Sequence, residues 1–127
     1  MKSNNGIQER TYEFAIMVVK FVKKLPANTG GFVIGRQLIR SGTSIGANIE
    51  EATGAFSKDD FIFKMNIALK ESRETNYWLR LIKDSELMKS TEVENLINES
   101  ENIKNILSAI VRTSKERREK REVKCFS

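Results

Sequence analysis

Two arginines one helical turn apart have the residue types and spacing needed to bind phosphate. Arg36 and Arg40 are followed by the hydroxyl residues Thr43 and Ser44. If this stretch is helical, the two guanidinium groups and the two hydroxyls can donate hydrogen bonds to phosphate groups. Arginine is also the preferred residue for ion pairs with carboxylates of adjacent helices or subunits. The spacing therefore predicts either a phosphate-binding surface or a set of interface ion pairs.

Carboxylates on two predicted helices form the second candidate constellation. Glu51 lies near the end of the second helix, and Glu71 and Glu74 lie inside the third. Facing carboxylates can bind a metal in a helical bundle, but such sites normally include histidine. This sequence has no histidine, so we predict no metal and no cofactor, and we expect salt bridges instead. The candidate cationic partners are Arg40, Lys70 and Arg73.

The residue types that most enzymes use are missing. Among 127 residues there is no histidine and one cysteine, Cys125. Without an imidazole there can be no serine–histidine or cysteine–histidine nucleophile system and no histidine-ligated zinc site. One cysteine also excludes an internal disulfide framework. We therefore predict that the protein is not an enzyme.

Adjacent aromatic side chains are a candidate surface for stacking on bases. Tyr77 and Trp78 lie beside the apolar seam of the third predicted helix. Aromatic side chains stack on the bases of single-stranded nucleic acid. At this position, however, the ordinary explanation is burial in the core or at a subunit contact.

The C-terminal run Lys115 to Lys124 reads KERREKREVK and supplies much of the formal net charge of +5. A basic excess favours a polyanionic partner. The run resembles a nucleic-acid-binding arm. The glutamates among its cations are also typical of a solvated helix extension, and both interpretations stay open. The cations of this candidate site are Lys115, Arg117, Arg118, Lys120 and Arg121.

Length and hydropathy limit the class of protein that must position these residues. The chain is long enough for one domain, and 39% of its residues are hydrophobic, which suffices for a single core. It has no apolar run near the ~20 residues that span a membrane. The first residues are polar, unlike those of a signal peptide. We expect a cytoplasmic protein.

Apolar residues recur at spacings of three and four in four segments, which predicts four helices. The clearest seam runs along the third segment. Short connections between the segments predict an antiparallel up-down-up-down four-helix bundle over residues 1–114. After Ser114 the apolar period stops, so we expect 115–127 to be a frayed, charged extension. The predicted helices cover about 7–25, 32–52, 58–85 and 92–114.

The second predicted helix contains small residues at its centre. Gly42 and Gly46 lie in the sequence RSGTSIGAN, and each interior glycine costs about 1 kcal/mol relative to alanine. Such positions usually let another backbone approach closely. The alternative is that a ligand or phosphate approaches the same small-residue surface.

Two long motifs resemble a known family. The stretch QLIRSGTSIGANIEE from Gln37 to Glu51, with IALKESRETNYWLRL from Ile67 to Leu81, is similar to the bacterial four-helix-bundle proteins named for intervening sequences in large-subunit ribosomal RNA genes. The resemblance covers roughly residues 10–112. One departure is Ala52, where many relatives have a glycine. The motif residues to which it assigns structural or interface roles are Ser41, Ser44, Asn48, Glu51, Glu71, Glu74, Tyr77 and Trp78.

The resemblance implies a non-enzymatic bundle that assembles into a homopentameric ring. It also implies kinship with the accessory variability determinant of diversity-generating retroelements, a basic pentamer that binds nucleic acid and a reverse transcriptase. We therefore predict an oligomeric bundle that binds RNA or a ribonucleoprotein, with Arg36, Arg40 and the basic residues near 115–121 in contact with the polyanion. The alternative is a protein-interaction scaffold, such as the accessory subunit of a reverse transcriptase.

Overall fold

The computed structural model describes residues 2–126 of the chain and the side chains of residues 6–123. It contains the helices α1 (Lys2–Val22), α2 (Thr29–Thr53), α3 (Lys58–Asp84) and α4 (Thr91–Phe126). Within this range no residue lies in a strand. The predicted all-α class is therefore confirmed. No described helix has an apolar stretch long enough to cross a membrane.

The four helices form an antiparallel bundle in which each helix packs against two others. α2 lies between α1 and α3, α3 packs on α4, and α4 returns to contact α1. α1 and α3 are therefore diagonal to each other and do not pack together. Short connections allow this up-down-up-down order. The outward sides of α1 and α3 consequently face in opposite directions.

Side-chain caps set where two of the helices begin. The Asn28 side chain accepts a hydrogen bond from the Gly31 amide at 2.8 Å, so α2 begins at Thr29, one turn earlier than expected. The predicted cap at Ser57 is confirmed, because its hydroxyl accepts from the Asp60 amide at 3.0 Å. Each cap satisfies an amide that has no partner inside its helix.

The expectation that 115–127 is frayed is wrong over the described residues, because α4 continues as a helix to Phe126. The segment contains neither glycine nor proline, and lysine, arginine and glutamate are good helix formers. The loss of apolar periodicity after Ser114 therefore marks the end of core packing and not the end of the helix. α1 likewise begins at Lys2, before the predicted start near residue 7.

The core consists of the predicted seams with small shifts in phase. On α1 the structure buries Val18 and leaves Met17 41% exposed, which decides between two residues that the pattern could not separate. On α4 Val111 is buried and Ile110 only half-buried. Such shifts arise because a helix turns about 100° per residue, so neighbouring positions can lie on either edge of one face.

The small residues of α2 are packed against α1. A Cβ atom added to Gly42 would lie 3.0 Å from a methyl carbon of Val18, and one added to Gly46 would lie 3.4 Å from the backbone of Thr11. Both glycines allow the two helices to approach closely, as the packing interpretation predicted. The Gly42 position is buried, so it offers no surface to a phosphate.

α1 and α4 form the least extensive helix pair of the bundle, and ion pairs join them. Arg10 donates to both carboxylate oxygens of Glu99, at 2.6 and 2.9 Å. Hydrogen bonding from Arg10 lowers the pKa of Glu99 below its usual value of 4.5, against a smaller opposing effect of burial. Lys24, in the turn that follows α1, forms a second pair with Glu92 of α4 at 2.9 Å.

The Arg10–Glu99 pair should make stability depend on pH. A carboxylate whose pKa is lower in the folded state stabilises the fold above its unfolded pKa, and that stabilisation is lost as the pH falls through the folded pKa. We expect Glu99→Gln to lower the free energy of unfolding at pH 7 by about 1 kcal/mol or less, and to have no effect at a pH well below 4.5. Urea unfolding across this pH range measures the difference. Glu101→Gln is the control, because the partner of Glu101 among the described side chains is Lys104 of the same helix.

Candidate functional site

Arg40 lies in an ion-pair network between α2 and α3. Its guanidinium group contacts Glu71 at 3.3 Å and also pairs with Glu74. Glu74 in turn accepts a hydrogen bond of 3.0 Å from the indole nitrogen of Trp78. The alternative interpretation, an ion pair with an adjacent helix, is therefore the arrangement that the structure shows for Arg40. Contact between Arg40 and a polyanion stays a prediction, since about half of its side chain is exposed.

Glu51 and Glu71 have different cationic partners. Glu51 accepts from Lys64 at 2.8 Å, whereas Glu71 contacts Arg40. Within the described residues, no group of three potential metal ligands comes together. The cation paired with Glu51 is on α3 as expected, but Lys64 was not among the partners named from the sequence.

The hydroxyl and amide residues of the α2 motif bond to the helical backbone. The hydroxyl oxygen of Thr75 lies 3.0 Å from that of Ser41 and 2.8 Å from the carbonyl oxygen of Glu71. Ser44 donates to the Ser41 carbonyl at 3.0 Å, and Asn48 donates to the Ser44 carbonyl at 2.8 Å. Ser41 and Thr75 are fully buried, so their small side chains let α2 and α3 pack closely.

Tyr77 and Trp78 lie at the edge of the α2–α3 contact, where they pack on each other. Their rings meet edge to face with centroids 5.0 Å apart. Trp78 is half-buried and packs against the core, whereas Tyr77 is exposed. The Arg80 guanidinium lies 6.0 Å from the Tyr77 ring. Trp78 thus has the predicted structural position, and Tyr77 remains accessible to a partner.

The structure separates the two halves of the predicted polyanion surface. Arg36 lies near the start of α2, and it lines a shallow groove there with Lys23 of the α1–α2 turn. α2 rises about 25 Å between Arg36 and Thr53, where the chain turns into α3. The C-terminal extension lies at that second end, because Arg118 pairs with Asp59 in the first turn of α3 at 2.8 Å. Within one subunit, therefore, one phosphate group cannot contact both clusters.

The extension presents a row of cations beyond the core. Arg117, Arg118 and Arg121 continue the stripe of α4 that carries Leu107 and Ser114, at spacings of three and four. Among the described residues, Arg118 is the one cation of 115–121 with a carboxylate within 4.0 Å. The other four are Lys115, Arg117, Lys120 and Arg121.

A groove at the α2–α3 turn was not predicted from the sequence. This groove, the end groove, has a volume of about 790 Å³ and is lined by apolar residues of all four helices together with the hydroxyl residues Thr53, Ser57, Thr113 and Ser114. Phe56 forms its lip and is fully exposed, with a relative accessibility of 101%. Lys58 and Arg117 also line it. In the sequence, the one sign of this groove is a large apolar residue, Phe56, in the four-residue break between α2 and α3.

Two apolar surfaces lie on opposite sides of the bundle. The first, the α1 surface, consists of Tyr12, Ile16 and Val19, of which Tyr12 is 65% and Ile16 39% exposed. The second, the α3 surface, lies on the outward side of α3 and includes exposed and half-buried side chains. Its residues are Phe63, Ile67, Tyr77 and Leu81. Because α1 and α3 are diagonal in the bundle, one copy can present its α1 surface to the α3 surface of another.

The bundle and its α2 and α3 motifs can now be compared with known proteins. Residues 3–109 match the family described as 23S rRNA-intervening sequence protein. The chain belongs to this family. A crystal structure of a protein with unknown function from the S23 ribosomal protein family of Bacteroides thetaiotaomicron VPI-5482 is 44% identical. The alignment covers 88% of this chain and 99% of that one, with a TM-score of 0.80. No curated protein matches this chain.

The family match confirms the resemblance seen in the two sequence motifs. It spans the bundle but ends before the C-terminal extension, at residue 109. The cations of 115–121 are therefore a feature of this intervening-sequence protein that the family match does not cover. The end groove combines both parts, because Ile49 comes from the matched region and Arg117 from the extension.

Proposed function

We propose that the protein is a homo-oligomeric bundle that binds RNA or a ribonucleoprotein through the basic surface of its C-terminal extension. The observation that carries this function is the helical extension itself. It holds four cations, at 115, 117, 120 and 121, that have no carboxylate within 4.0 Å among the described residues. Such cations can pair with phosphates and release the counterions bound to them, which drives association.

The family supports a nucleic-acid partner more than another polyanion. Its description links these proteins to intervening sequences of 23S ribosomal RNA. The net charge of +5 agrees with a polyanionic partner. Arg36, with Lys23 nearby, supplies a second cationic surface at the opposite end of the bundle. An RNA that follows the length of the bundle can contact both.

The two apolar surfaces support assembly by a heterologous contact. A contact between different surfaces of identical subunits repeats from copy to copy, and it closes into a ring where the rotation allows. The resemblance to pentameric relatives makes five the expected number of subunits. Because these surfaces are on the sides of the bundle, each ring carries all copies of the extension on one rim. Several weak phosphate contacts then add up to useful avidity.

Salt-dependent RNA binding by an oligomer of known mass tests this function. We expect the dissociation constant to rise steeply with salt. The fourfold variant Lys115→Gln/Arg117→Gln/Lys120→Gln/Arg121→Gln should lower the log–log slope by roughly 0.7 for each phosphate of a single strand that the variant no longer neutralises. Fluorescence anisotropy measures binding, and light scattering confirms that the mass is unchanged.

The matched control has the same change in charge elsewhere on the surface. It replaces Lys83, Lys89, Lys104 and Arg112 with glutamine, and it should keep most of the salt slope. Equal losses in both variants would show that total charge, and not the extension, governs binding. An assembled oligomer that binds no RNA at low salt would contradict the proposal and leave the protein-scaffold function.

A further inference from the structure

The lip of the end groove is an exposed aromatic ring on a hydrogen-bonded turn. Phe56 lies in the short turn between α2 and α3, and the turn is fixed on both sides by hydrogen bonds. The Gly54 and Ala55 amides donate to carbonyls of the last turn of α2, and Ser57 caps α3. The fully exposed ring has no packing role in the subunit, so it is free to contact a ligand.

Cations flank this apolar groove on two sides. The ammonium group of Lys58 lies 5.6 Å from the centroid of the Phe61 ring, and Phe61 forms part of the wall. Arg117 lines the groove from α4, while its neighbour Arg118 holds Asp59 at 2.8 Å. Among the described residues that line the groove, none is acidic. Its charge is therefore complementary to an anion that also has an apolar or aromatic part.

A nucleotide of a single strand combines these properties. Its base has a flat face that stacks on an aromatic side chain, and its phosphates pair with lysine and arginine. In a duplex the bases are already stacked and paired, so they cannot enter a groove. The groove volume of 790 Å³ lies within the range of about 300–1,000 Å³ that is typical of small-ligand pockets.

From these features we infer that the end groove binds single-stranded RNA, with one base stacked on Phe56 and the adjoining phosphates on Lys58 and Arg117. This inference rests on the proposed RNA-binding function and adds a site and a preference for unpaired bases. An acidic, apolar peptide is the competing ligand. RNA is favoured because the groove adjoins the free cations of the extension, along which the strand can continue.

The inference is tested with a single-stranded 12-nucleotide oligouridine and a 12-base-pair RNA duplex, each titrated with full-length protein. We expect Phe56→Ala to weaken binding of the single strand about tenfold, because a loss of about 1.4 kcal/mol of base stacking corresponds to a factor of ten. Binding of the duplex should not change. Phe56→Leu should lose nearly as much, because leucine is apolar but has no aromatic face. A fluorescent 2-aminopurine in the strand should be quenched by wild type and not by either variant.

Two matched controls separate the groove from general effects. Met17→Ala removes another exposed apolar side chain, on α1 outside the groove, and should change binding less than twofold. Arg117→Gln should lower the salt slope for the single strand by about 0.7 relative to Arg112→Gln, whose arginine lies on α4 outside the groove. Light scattering checks that every variant keeps the oligomer mass.

The outcomes distinguish this site from the proposed function. Wild type that binds RNA while Phe56→Ala behaves like Met17→Ala would overturn the groove and leave RNA binding by the extension in place. Equal weakening of single strand and duplex by Phe56→Ala would also overturn it, since stacking requires an unpaired base. Wild type that binds neither RNA would instead contradict the proposed function itself.

Discussion

Gly31→Ala should destabilise the bundle by about 3 kcal/mol, the upper part of the range for overpacking a buried site. Gly31 is buried in the first turn of α2, and an added Cβ would lie 1.9 Å from the carbonyl oxygen of Pro26. That oxygen belongs to the backbone, so the α1–α2 turn would have to move. The movement would also disturb the hydrogen bond by which Asn28 caps α2.

Gly30→Ala is the control for this prediction. Its added Cβ would meet Asn28 and Leu87 at 3.6 Å, an ordinary van der Waals distance. Because alanine is the better helix former, we expect Gly30→Ala to be neutral or to stabilise by up to about 1 kcal/mol. Urea unfolding at one fixed protein concentration compares the variants, so that any contribution of the proposed assembly to stability is the same for both. Equal stability of the two variants would contradict the close contact at Gly31.

Ile16→Glu should dissociate the proposed oligomer. Ile16 lies at the centre of the α1 surface and is 39% exposed within the subunit, so glutamate can be solvated there when the subunit is alone. In a contact with the α3 surface of another copy, the same carboxylate would be buried among apolar groups without a partner. We expect the mass measured by light scattering to fall to that of one chain, 14.5 kDa, with the helical circular-dichroism signal retained.

Asn105→Glu is the matched control for dissociation. It places a new carboxylate on the exposed side of α4, away from both apolar surfaces, and should leave the mass unchanged. If Ile16→Glu keeps the full oligomer mass, the α1 surface is not the subunit contact. Loss of helicity in Ile16→Glu would instead show that Ile16 stabilises the subunit fold, which its exposure argues against.

The helices could be predicted because their signals are local. The apolar seam of α3 and the cap at Ser57 each depend on residues a few positions apart, and the structure confirms them. The prediction that the helix frays after Ser114 was wrong because it relied on apolar periodicity alone. Apolar periodicity reports where a helix packs, whereas helix formation also depends on residue type, and the charged residues of the extension are good helix formers.

The partners of individual side chains were predicted less well. The pattern placed Arg40 on the surface of α2 and left two interpretations open, a phosphate site or an ion pair. Which carboxylate of α3 lies opposite Arg40 depends on how α2 and α3 are rotated and shifted along their axes relative to each other. In the structure, Glu71 and Glu74 lie opposite Arg40. Glu51, near the other end of α2, meets Lys64 by the same geometry.

The sequence by itself determined the all-helical class, the family, the buried seams and the lack of the histidine chemistry on which most catalytic sites depend. These properties follow from residue types and from short-range spacing. Only the tertiary structure decided that Arg36 and the extension lie at opposite ends, and that Phe56, Lys58 and Arg117 surround one groove. Phe56 and Arg117 are 61 positions apart in the sequence, so their proximity is set by how the helices pack, which no local pattern encodes.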